Sequence, residues 1–412
     1  MVKTIIGAFT KNKNADLNRI HMKGLHCHQL VRNLTSHSHG APRAHKQKVL
    51  ILGTGWAGYR CASDLDKSLF DVHVISPRNH FLFTPLLPST AVGTLEFRAI
   101  QEPIRMIPDI HYYQAHVTSI DLRDSSISCV DAFSDGHRFQ LEYDALIVAS
   151  GSETNTFGVK GVSDNPHVFF LKQLQHSRSI RNRLIECFER ASSPGVTSAV
   201  ERQMLLTFVV VGGGPTSVEF AAELYDFLRK DVSRYYPELL DTVRVQLIEA
   251  SGHILGSFDS GLVGYVESLF KSRRIEVISN TAVREVVGNN ALLSDGRQLS
   301  FGMMVWSTGV QQTPLINSIS EIQKHRNGRL MVDAHLRVLS HDSGFAPSSA
   351  VFAVGDCAAD VDKPLPMLAQ VRCDLVCELL RLSSHTTSTS SCTVGCLSAG
   401  DPPGCSTQQA WR

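Results

Sequence analysis

Two glycine-rich segments have the residue types and spacing that would bind the phosphates of a dinucleotide. The first is Gly53-Thr-Gly-Trp-Ala-Gly58 and the second is Gly212-Gly-Gly-Pro-Thr-Ser217. A glycine turn between a buried strand and a helix leaves backbone N–H groups unpaired, and these groups and the helix dipole attract an anion. Each segment therefore predicts a phosphate-binding turn, provided that a strand precedes it and a helix follows it.

The flanking residues supply both elements. Val49-Leu-Ile-Leu52 predicts the first strand, and Asp71-Val-His-Val-Ile75 predicts the strand that follows the first helix. Phe208-Val-Val-Val211 precedes the second turn, whose helix repeats apolar residues at helical spacing. These are two βαβ openings of the Rossmann type, so dinucleotide binding is favoured over a bare glycine turn.

The residue that ends the second strand of each unit differs between the two units. In the second unit this residue is Glu249, whose carboxylate could accept the ribose hydroxyls of a dinucleotide and would repel a 2′-phosphate. NADH is therefore favoured over NADPH. In the first unit this place is taken by Ser76, which opens an apolar, proline-rich loop running to Ser89. That loop suits a planar ring system and core packing equally well.

Glu219 allows two interpretations. A carboxylate at the start of this helix would lie near a nicotinamide and could assist hydride or proton movement. Alternatively, Thr216-x-x-Glu219 is a capping box that satisfies the helix start. Spacing alone favours the cap, and the two roles are compatible.

Three later strands end in small or acidic residues. They end in Ala149-Ser-Gly151, Ser307-Thr-Gly309 and Gly355-Asp356. Small residues at the carboxyl end of a strand let a cofactor approach the backbone, and an aspartate there can bind a polyol chain. Ordinary strand-to-turn junctions are the alternative at each place.

Composition excludes several classes of protein. The net charge of +1 argues against nucleic-acid binding, and no apolar run is long enough to predict a membrane-spanning helix. The ten cysteines form no C-x-x-C pair, and no residue pattern predicts a metal site. Residues 1–47 carry eight Lys or Arg and one acid, which indicates a mitochondrial or plastid transit peptide; a solvated basic tail is the alternative.

Taken together, the order of these motifs resembles that of the two-dinucleotide-binding flavoproteins. Within that group, the two turns, the Ser76–Ser89 loop and Leu365-Pro-Met-Leu-Ala-Gln370 resemble mitochondrial alternative (type II) NADH:ubiquinone oxidoreductases from about Lys48 to Val371. The resemblance implies an α/β fold with two Rossmann-like domains. It also implies an enzyme that passes hydride from NADH to FAD and then two electrons to ubiquinone, without pumping protons.

The resemblance implies the following site residues. Those expected at FAD are Gly53, Gly55, Trp56, Ala57, Gly58, Ser76, Pro77, Arg78, Thr84, Pro85, Leu86, Ala149, Gly151, Gly309, Gly355 and Asp356. Those expected at NADH are Gly212, Gly214, Pro215, Thr216, Ser217 and Glu249. Glu219 and Gln370 are expected to be catalytic, and Ala369 and Gln370 to contact the quinone.

The expected organisation is a transit peptide or disordered segment over 1–47, an FAD-binding domain over 48–170 and 300–381, an inserted NADH-binding domain over 171–299, and a disordered tail over 382–412. After Val371 the family pattern stops, and a Ser/Thr/Cys/Gly/Pro-rich tail follows. This departure puts quinone reduction in doubt. It leaves a soluble NADH diaphorase or oxidase, or a weakly active isoform that only binds dinucleotides, as alternatives.

For the partners, the resemblance implies NADH and a quinone, with a homodimer as an option. Relatives of this kind would lie at the periphery of the mitochondrial inner membrane, although the shortened pattern makes that contact doubtful here.

Overall fold

The structure is a computed structural model that describes residues 46–133, 136–341 and 350–361. Within these ranges no helix combines the length and the apolar character needed to cross a lipid bilayer. Residues 1–45 of the predicted transit peptide, the tail after Val371 and the segment that contains Ala369 and Gln370 lie outside the described residues. The last two residues of the predicted transit peptide are described, and Gln47 begins the first strand.

The helices and strands are bounded as follows. The α-helices are α1 (Trp56–Asp64), α2 (Leu87–Ala91), α3 (Leu174–Ser192), α4 (Ala199–Leu205), α5 (Pro215–Phe227), α6 (Ser233–Tyr235), α7 (Ser260–Ser272) and α8 (Pro314–Ser318). The strands are β1 (Gln47–Leu52), β2 (Phe70–Ile75), β3 (His80–Leu82), β4 (Gln101–Pro103), β5 (Ile110–Tyr113), β6 (Ala115–Asp121), β7 (Ser126–Asp131), β8 (Arg138–Glu142), β9 (Ala145–Val148), β10 (Glu153–Thr154), β11 (Val168–Phe170), β12 (Thr207–Val211), β13 (Arg244–Ile248), β14 (Ile275–Ile278), β15 (Val283–Val287), β16 (Asn290–Leu293), β17 (Gln298–Ser300), β18 (Met303–Trp306), β19 (Val310–Gln311), β20 (Leu330–Val332), β21 (Ala350–Ala353) and β22 (Ala358–Asp360).

Two five-stranded parallel sheets form the framework, and their strand orders correspond. The first has the order β21-β9-β1-β2-β5, and the second has the order β11-β18-β12-β13-β14. In each sheet the strand before the glycine turn is central, with the next strand along the chain on one side and a later strand on the other. β12 is buried along its whole length. A parallel strand covered on both faces has a nearly continuous apolar sequence, which explains the run of valines here.

The sheets place two strands differently from the predicted domain boundaries. β11 pairs with β18, and β18 pairs with β12, so both belong to the second sheet. The boundaries expected after residues 170 and 299 therefore cut off strands that the second unit needs. β18, like β9, is an apolar run ending in small residues, and such a run can close either sheet; its pairing with β12 assigns it to the second.

Short antiparallel sheets accompany both units. β6, β7 and β8 form a meander, as the alternating pattern over 115–143 predicts. β15, β16 and β17 do the same after the second sheet. β14, just before this meander, is the parallel edge strand of the second sheet.

The segment from Thr84 to Thr94 leaves the first unit and packs on helices of the second. Ser177 and Arg181 of α3 donate hydrogen bonds to the carbonyls of Leu87 and Val92, at 3.3 Å and 2.6 Å. Thr94 donates to the carboxylate of Glu223 on α5 at 2.9 Å. The predicted apolar loop is thus ordered by contacts with the second unit.

Candidate functional site

The first glycine turn is closed so tightly that two of its glycines admit no side chain. Gly53 has a φ of +115°, and a Cβ there would lie 2.4 Å from the carbonyl oxygen of Ala149 on the neighbouring strand. A Cβ at Gly58 would lie 2.0 Å from the carbonyl oxygen of Gly53. These contacts press the start of α1 against the ends of β1 and β9, which is the packing that a Rossmann turn requires.

The same turn leaves open space where a ligand would approach. A Cβ at Gly55 would meet only the Arg78 guanidinium, at 3.9 Å, among the described residues. Gly55 is also the N-cap of α1, and no side chain caps this helix start. The first N–H groups of α1 thus face an uncrowded space, which fits the pyrophosphate of a dinucleotide.

Ser76 is uncharged and contributes hydrogen bonds that hold the loop against the first glycine turn. Its hydroxyl lies 3.1 Å from the hydroxyl of Thr54, which also donates to the carbonyl of Arg78 at 2.9 Å. Tyr112 donates to the Ser76 carbonyl at 3.0 Å. Ser76 therefore fastens the Ser76–Ser89 loop to the glycine turn, while Pro77 at its start is exposed.

The loop returns to the turn at Trp56 and Thr84. The indole Nε1 of Trp56 donates to the Thr84 hydroxyl at 3.1 Å, and the Trp56 ring packs edge-on against Phe81. Thr84–Leu86 forms a 3-10 helix with Pro85 exposed and Leu86 half-buried, and α2 continues from it. The predicted FAD residues Trp56 and Thr84 are thus in contact, and Ala57 is buried in α1 behind them.

Arg78 connects the two units. Its Nη1 donates to the side-chain oxygen of Gln173 at 2.8 Å, at the N-cap of α3, and its Nε donates to the carbonyl of His80. Burial lowers the pKa of Arg78 to about 10, so the guanidinium still carries its charge at neutral pH. The sequence placed Arg78 at the cofactor, and the structure adds this contact with α3.

Asp356 is held by residues that the sequence analysis missed. The hydroxyl of Ser152 donates to Asp356 Oδ2 at 2.8 Å, and the ammonium of Lys172 donates to that hydroxyl at 2.8 Å. Gln312 donates to the Asp356 carbonyl at 3.3 Å. Lys172 lies directly before α3, as a lone lysine after an apolar run, and only the fold brings it near Asp356.

Two glycines at this end of the first sheet have backbone conformations that favour glycine. Gly151 and Gly355 have φ values of +72° and +82°, which side-chain-bearing residues rarely adopt. No described atom lies within 4 Å of the place where a Gly151 Cβ would be. Ala149, Gly151, Gly355 and Asp356 therefore line the carboxyl edge beside the first turn.

The second glycine turn repeats this geometry. Gly212 has a φ of +107°, and a Cβ there would lie 2.5 Å from the carbonyl oxygen of Ser307. A Cβ at Gly214 would meet no described atom within 4 Å. Gly214 is the N-cap of α5, without a side-chain cap, and Pro215 follows at the first helical position.

This helix start corrects one interpretation. Thr216 is the second residue of α5 rather than its cap, so Thr216 and Glu219 do not form a capping box. The error arose because the threonine-to-glutamate spacing is correct for a box, whereas proline at the first helical position shifts the helix start by two residues. Glu219 therefore does not cap the start of α5.

Ser217 and Gly309 also differ from expectation. The Ser217 side chain is fully buried and donates to the Ser307 carbonyl at 3.0 Å, so its hydroxyl joins the helix to β18 rather than facing the open turn. Gly309 was expected at the FAD turn. It follows β18, beside the second turn, and its carbonyl accepts from the N–H of Asn155 at 2.8 Å. The reason is that β18 occupies in the second sheet the place of β9 in the first.

Glu249 is at the second turn, where the sequence placed it. Its carboxylate accepts hydrogen bonds from the N–H of Gly213 and, at 2.7 Å, from the N–H of Ser251. The half-buried carboxylate therefore brings a negative charge to the edge of the turn.

Glu219 is the titratable group with the most informative shift in this region. Burial raises its pKa from 4.5 to about 7, and the carboxylate of Glu223, one helical turn further on, adds to the rise. Glu223 is itself buried and bound by Thr94 from the Thr84–Thr94 segment. A carboxyl group with a pKa near neutrality can take up or release a proton at the junction of the two units.

Among the cysteines of the described ranges, Cys357 lies at the carboxyl edge of the first sheet, where its thiol donates to the Val148 carbonyl at 3.3 Å. The described cysteines are Cys61, Cys129, Cys187 and Cys357, and all are buried free thiols.

Comparison with known proteins places this geometry in context. Residues 47–373 match the family described as pyridine nucleotide-disulphide oxidoreductase. A probable NADH dehydrogenase of Dictyostelium discoideum is 46% identical over 329 residues, which are 79% of this chain and 70% of that protein. The external alternative NAD(P)H-ubiquinone oxidoreductase B1 of Solanum tuberosum mitochondria is 40% identical, over 77% of this chain and 56% of that protein.

Among solved structures, NDH2 of Plasmodium falciparum in complex with NADH superposes with a TM-score of 0.72 at 32% identity. The match covers 77% of this chain and 65% of that one. The α/β fold class predicted from the sequence is thereby confirmed. The chain spans about two-thirds of that structure and little more than half of the potato protein.

Proposed function

This chain belongs to the pyridine nucleotide-disulphide oxidoreductase family, and we propose that it oxidises NADH through bound FAD and passes the two electrons to a quinone. The observation that carries the proposal is the pair of matching turns. Gly55 and Gly214 each cap a helix without a side-chain cap and each face open space, one in each parallel sheet. Two dinucleotides can therefore be bound in equivalent settings; the names of the relatives indicate NADH as one of them, and we propose FAD as the other.

The second unit binds NADH in this proposal. The N–H groups at the start of α5 take the pyrophosphate, and the carboxylate of Glu249 is placed to accept a ribose hydroxyl. The same negative charge disfavours a 2′-phosphate. The domain assignment follows: β11 to β18, residues 168–306, form the NADH unit, and the first sheet with its added strand β21 forms the FAD unit.

The first unit binds FAD. Residues at the first turn, with Ser76 behind them, hold the dinucleotide phosphates and ribose. Asp356, oriented by Ser152, is placed to accept a hydroxyl of the ribityl chain. Bound FAD supplies the redox chemistry, accepting hydride from NADH and releasing electrons singly or in pairs. The protein binds and orients the two dinucleotides and sets the electrostatic environment of the reacting rings.

Glu219 controls charge where the two units meet. Its pKa of about 7 means that its protonated and ionised forms are both populated at neutral pH. Thr94, through Glu223, couples this helix to the loop that begins at Thr84. We assign Glu219 the role of adjusting charge beside the reacting rings.

The acceptor half of the proposal rests on the relatives. Proteins named NAD(P)H-ubiquinone oxidoreductases and described as mitochondrial share 40% of aligned residues with this chain. We propose that a quinone is the acceptor, that Ala369 and Gln370 contact it, and that the protein lies at the periphery of the mitochondrial inner membrane. A homodimer is part of the same proposal.

The test begins with the full chain, purified with its flavin, and an anaerobic titration with NADH followed at 450 nm. Bleaching of the flavin absorbance by one equivalent of NADH is expected, and a water-soluble quinone should restore it. If flavin is retained and NADH does not bleach it, the hydride-transfer proposal fails. Bleaching that oxygen reverses but quinone does not would instead identify a diaphorase or oxidase.

The nucleotide assignment is tested with Glu249→Ala against Glu276→Ala, an exposed glutamate on the neighbouring strand β14. Glu249→Ala should raise the NADH concentration needed for half-maximal bleaching about tenfold and reduce the preference for NADH over NADPH, while Glu276→Ala should do neither. Equal affinities for NADH in all three proteins would refute the role of Glu249.

A further inference from the structure

Three metal-ligating side chains meet at the amino end of the first sheet, at the opposite end from the glycine turn. Asp71 and His73 are two residues apart on β2, so their side chains share one face of the sheet. His111 on β5 is the direct register partner of His73. One ligand atom of each residue lies within 4.8 Å of the others.

The two imidazoles converge on a single carboxylate. The Nε2 atom of His73 lies 2.9 Å from Asp71 Oδ2, and the Nε2 atom of His111 lies 3.4 Å from Asp71 Oδ1. The rings of the two histidines stack with their centroids 4.5 Å apart. Small side-chain movements would turn both Nε2 atoms and one carboxylate oxygen towards one shared ion.

His73 has the support that a metal-binding histidine needs. Its other ring nitrogen, Nδ1, lies 3.2 Å from the hydroxyl of Tyr113, and the two rings stack. Such a contact on the far nitrogen fixes the orientation of a histidine ligand and leaves Nε2 for the ion. His73 is buried and held in place, whereas His111 is largely exposed and leaves an opening to solvent.

We propose that Asp71, His73 and His111 bind one zinc ion, with water completing a four-coordinate shell. Two imidazoles and a carboxylate form a donor set that suits Zn²⁺ and is poorly suited to Mg²⁺ or Ca²⁺, which prefer oxygen ligands. The ion would join β2 to β5, neighbouring strands of one sheet, and would thereby stabilise the sheet edge. Lys48, which faces Asp71 across β1 and β2, is a nearby cation that weakens the site without occupying it.

The first experiment counts zinc by equilibrium dialysis of the full, flavin-containing chain against ZnCl₂. Wild type is compared with His111→Ala and with His116→Ala, which removes an exposed histidine from the adjacent strand β6. The histidines of residues 1–45 contribute equally to all three proteins. His111→Ala should bind one zinc fewer than the other two, and equal zinc counts would overturn the proposal.

The second experiment follows thermal unfolding. ZnCl₂ should raise the unfolding temperature of wild type and of His116→Ala by the same amount, because ligand binding to the folded state stabilises it. His111→Ala and Asp71→Asn should lose most of that rise and need at least tenfold more zinc for the same effect. A rise of equal size in all four proteins would overturn the proposal, as would displacement of the zinc by equimolar MgCl₂.

Discussion

Replacing Glu219 with glutamine should stabilise the protein at alkaline pH while impairing its reactivity. The carboxyl group has its pKa raised from 4.5 to about 7 by burial and by Glu223. Below pH 4.5 the group is protonated in both the folded and the unfolded chain, so it does not lower the free energy of unfolding. As the pH rises from 4.5 to about 7, the unfolded chain ionises while the folded chain keeps its proton, so this contribution to the free energy of unfolding is progressively lost and is absent above the folded pKa.

The size of the effect follows from the size of the rise. A pKa that moves from 4.5 to about 7 corresponds to roughly 3 kcal/mol between the two protonation states. Glutamine is neutral at every pH, so Glu219→Gln avoids this cost. Its gain in the free energy of unfolding over wild type should therefore grow by roughly 1–3 kcal/mol between pH 5 and pH 8, the lower figure allowing for partial solvent access.

The assay is urea unfolding of the NADH-free protein at half-unit steps from pH 5 to pH 9. Glu238→Gln, at an exposed glutamate, is the matched control and should keep the wild-type pH dependence. Glu223→Gln should lower the folded pKa of Glu219 and so make the loss of stability smaller, without removing it, because burial is the larger cause. In parallel, the rate at which NADH bleaches the flavin should lose its pH-dependent step near 7 in Glu219→Gln.

The reasoning fails if the stability difference between wild type and Glu219→Gln is the same at pH 5 and pH 8. It would also fail if Glu238→Gln reproduced the pH-dependent gain. If Glu219→Gln gained stability but left the rate profile unchanged, Glu219 would be a buried acid without a role in hydride transfer.

Three further substitutions test the site. Gly55→Ala should lower flavin content at least tenfold yet leave the melting temperature of the flavin-free protein within a degree or two, because a Cβ there meets only Arg78; a large loss of stability would contradict this. Ser217→Ala should cost about 1 kcal/mol in urea unfolding through loss of its buried hydrogen bond to Ser307, and an unchanged midpoint would show that the bond contributes nothing. Lys172→Met should weaken FAD retention severalfold in dialysis, because Ser152 loses its donor, and full retention would separate Lys172 from the cofactor.

The sequence was sufficient to predict the features that depend on local spacing. The turn at Gly53, the turn at Gly212 and the acid at Glu249 each follow directly from a strand, a glycine pattern and a known offset. The required backbone geometry leaves little freedom at such positions, and the positive φ values of Gly53 and Gly212 show why glycine stands there.

Features that depend on pairing between distant segments were beyond prediction. Gly309 could follow a strand of either sheet, and only the register of β18 against β12 places it beside Gly212. The contact between Lys172 and Ser152 joins residues 20 positions apart, with two strands between them. At α5 the sequence offers two conflicting signals, because the threonine-to-glutamate spacing fits a capping box whereas Pro215 favours an earlier helix start.

The way β21 completes the first sheet has a consequence for how the chain acquires its structure during synthesis. β21 pairs with β9 through Ala350 and Ala145, so the first sheet stays incomplete until the whole second unit has been made. All strands of the second sheet lie in one continuous stretch of chain, from Val168 to Trp306. The inserted unit can therefore fold first on the ribosome, and the amino-terminal sheet, with its longer loop closure, follows as the slower step.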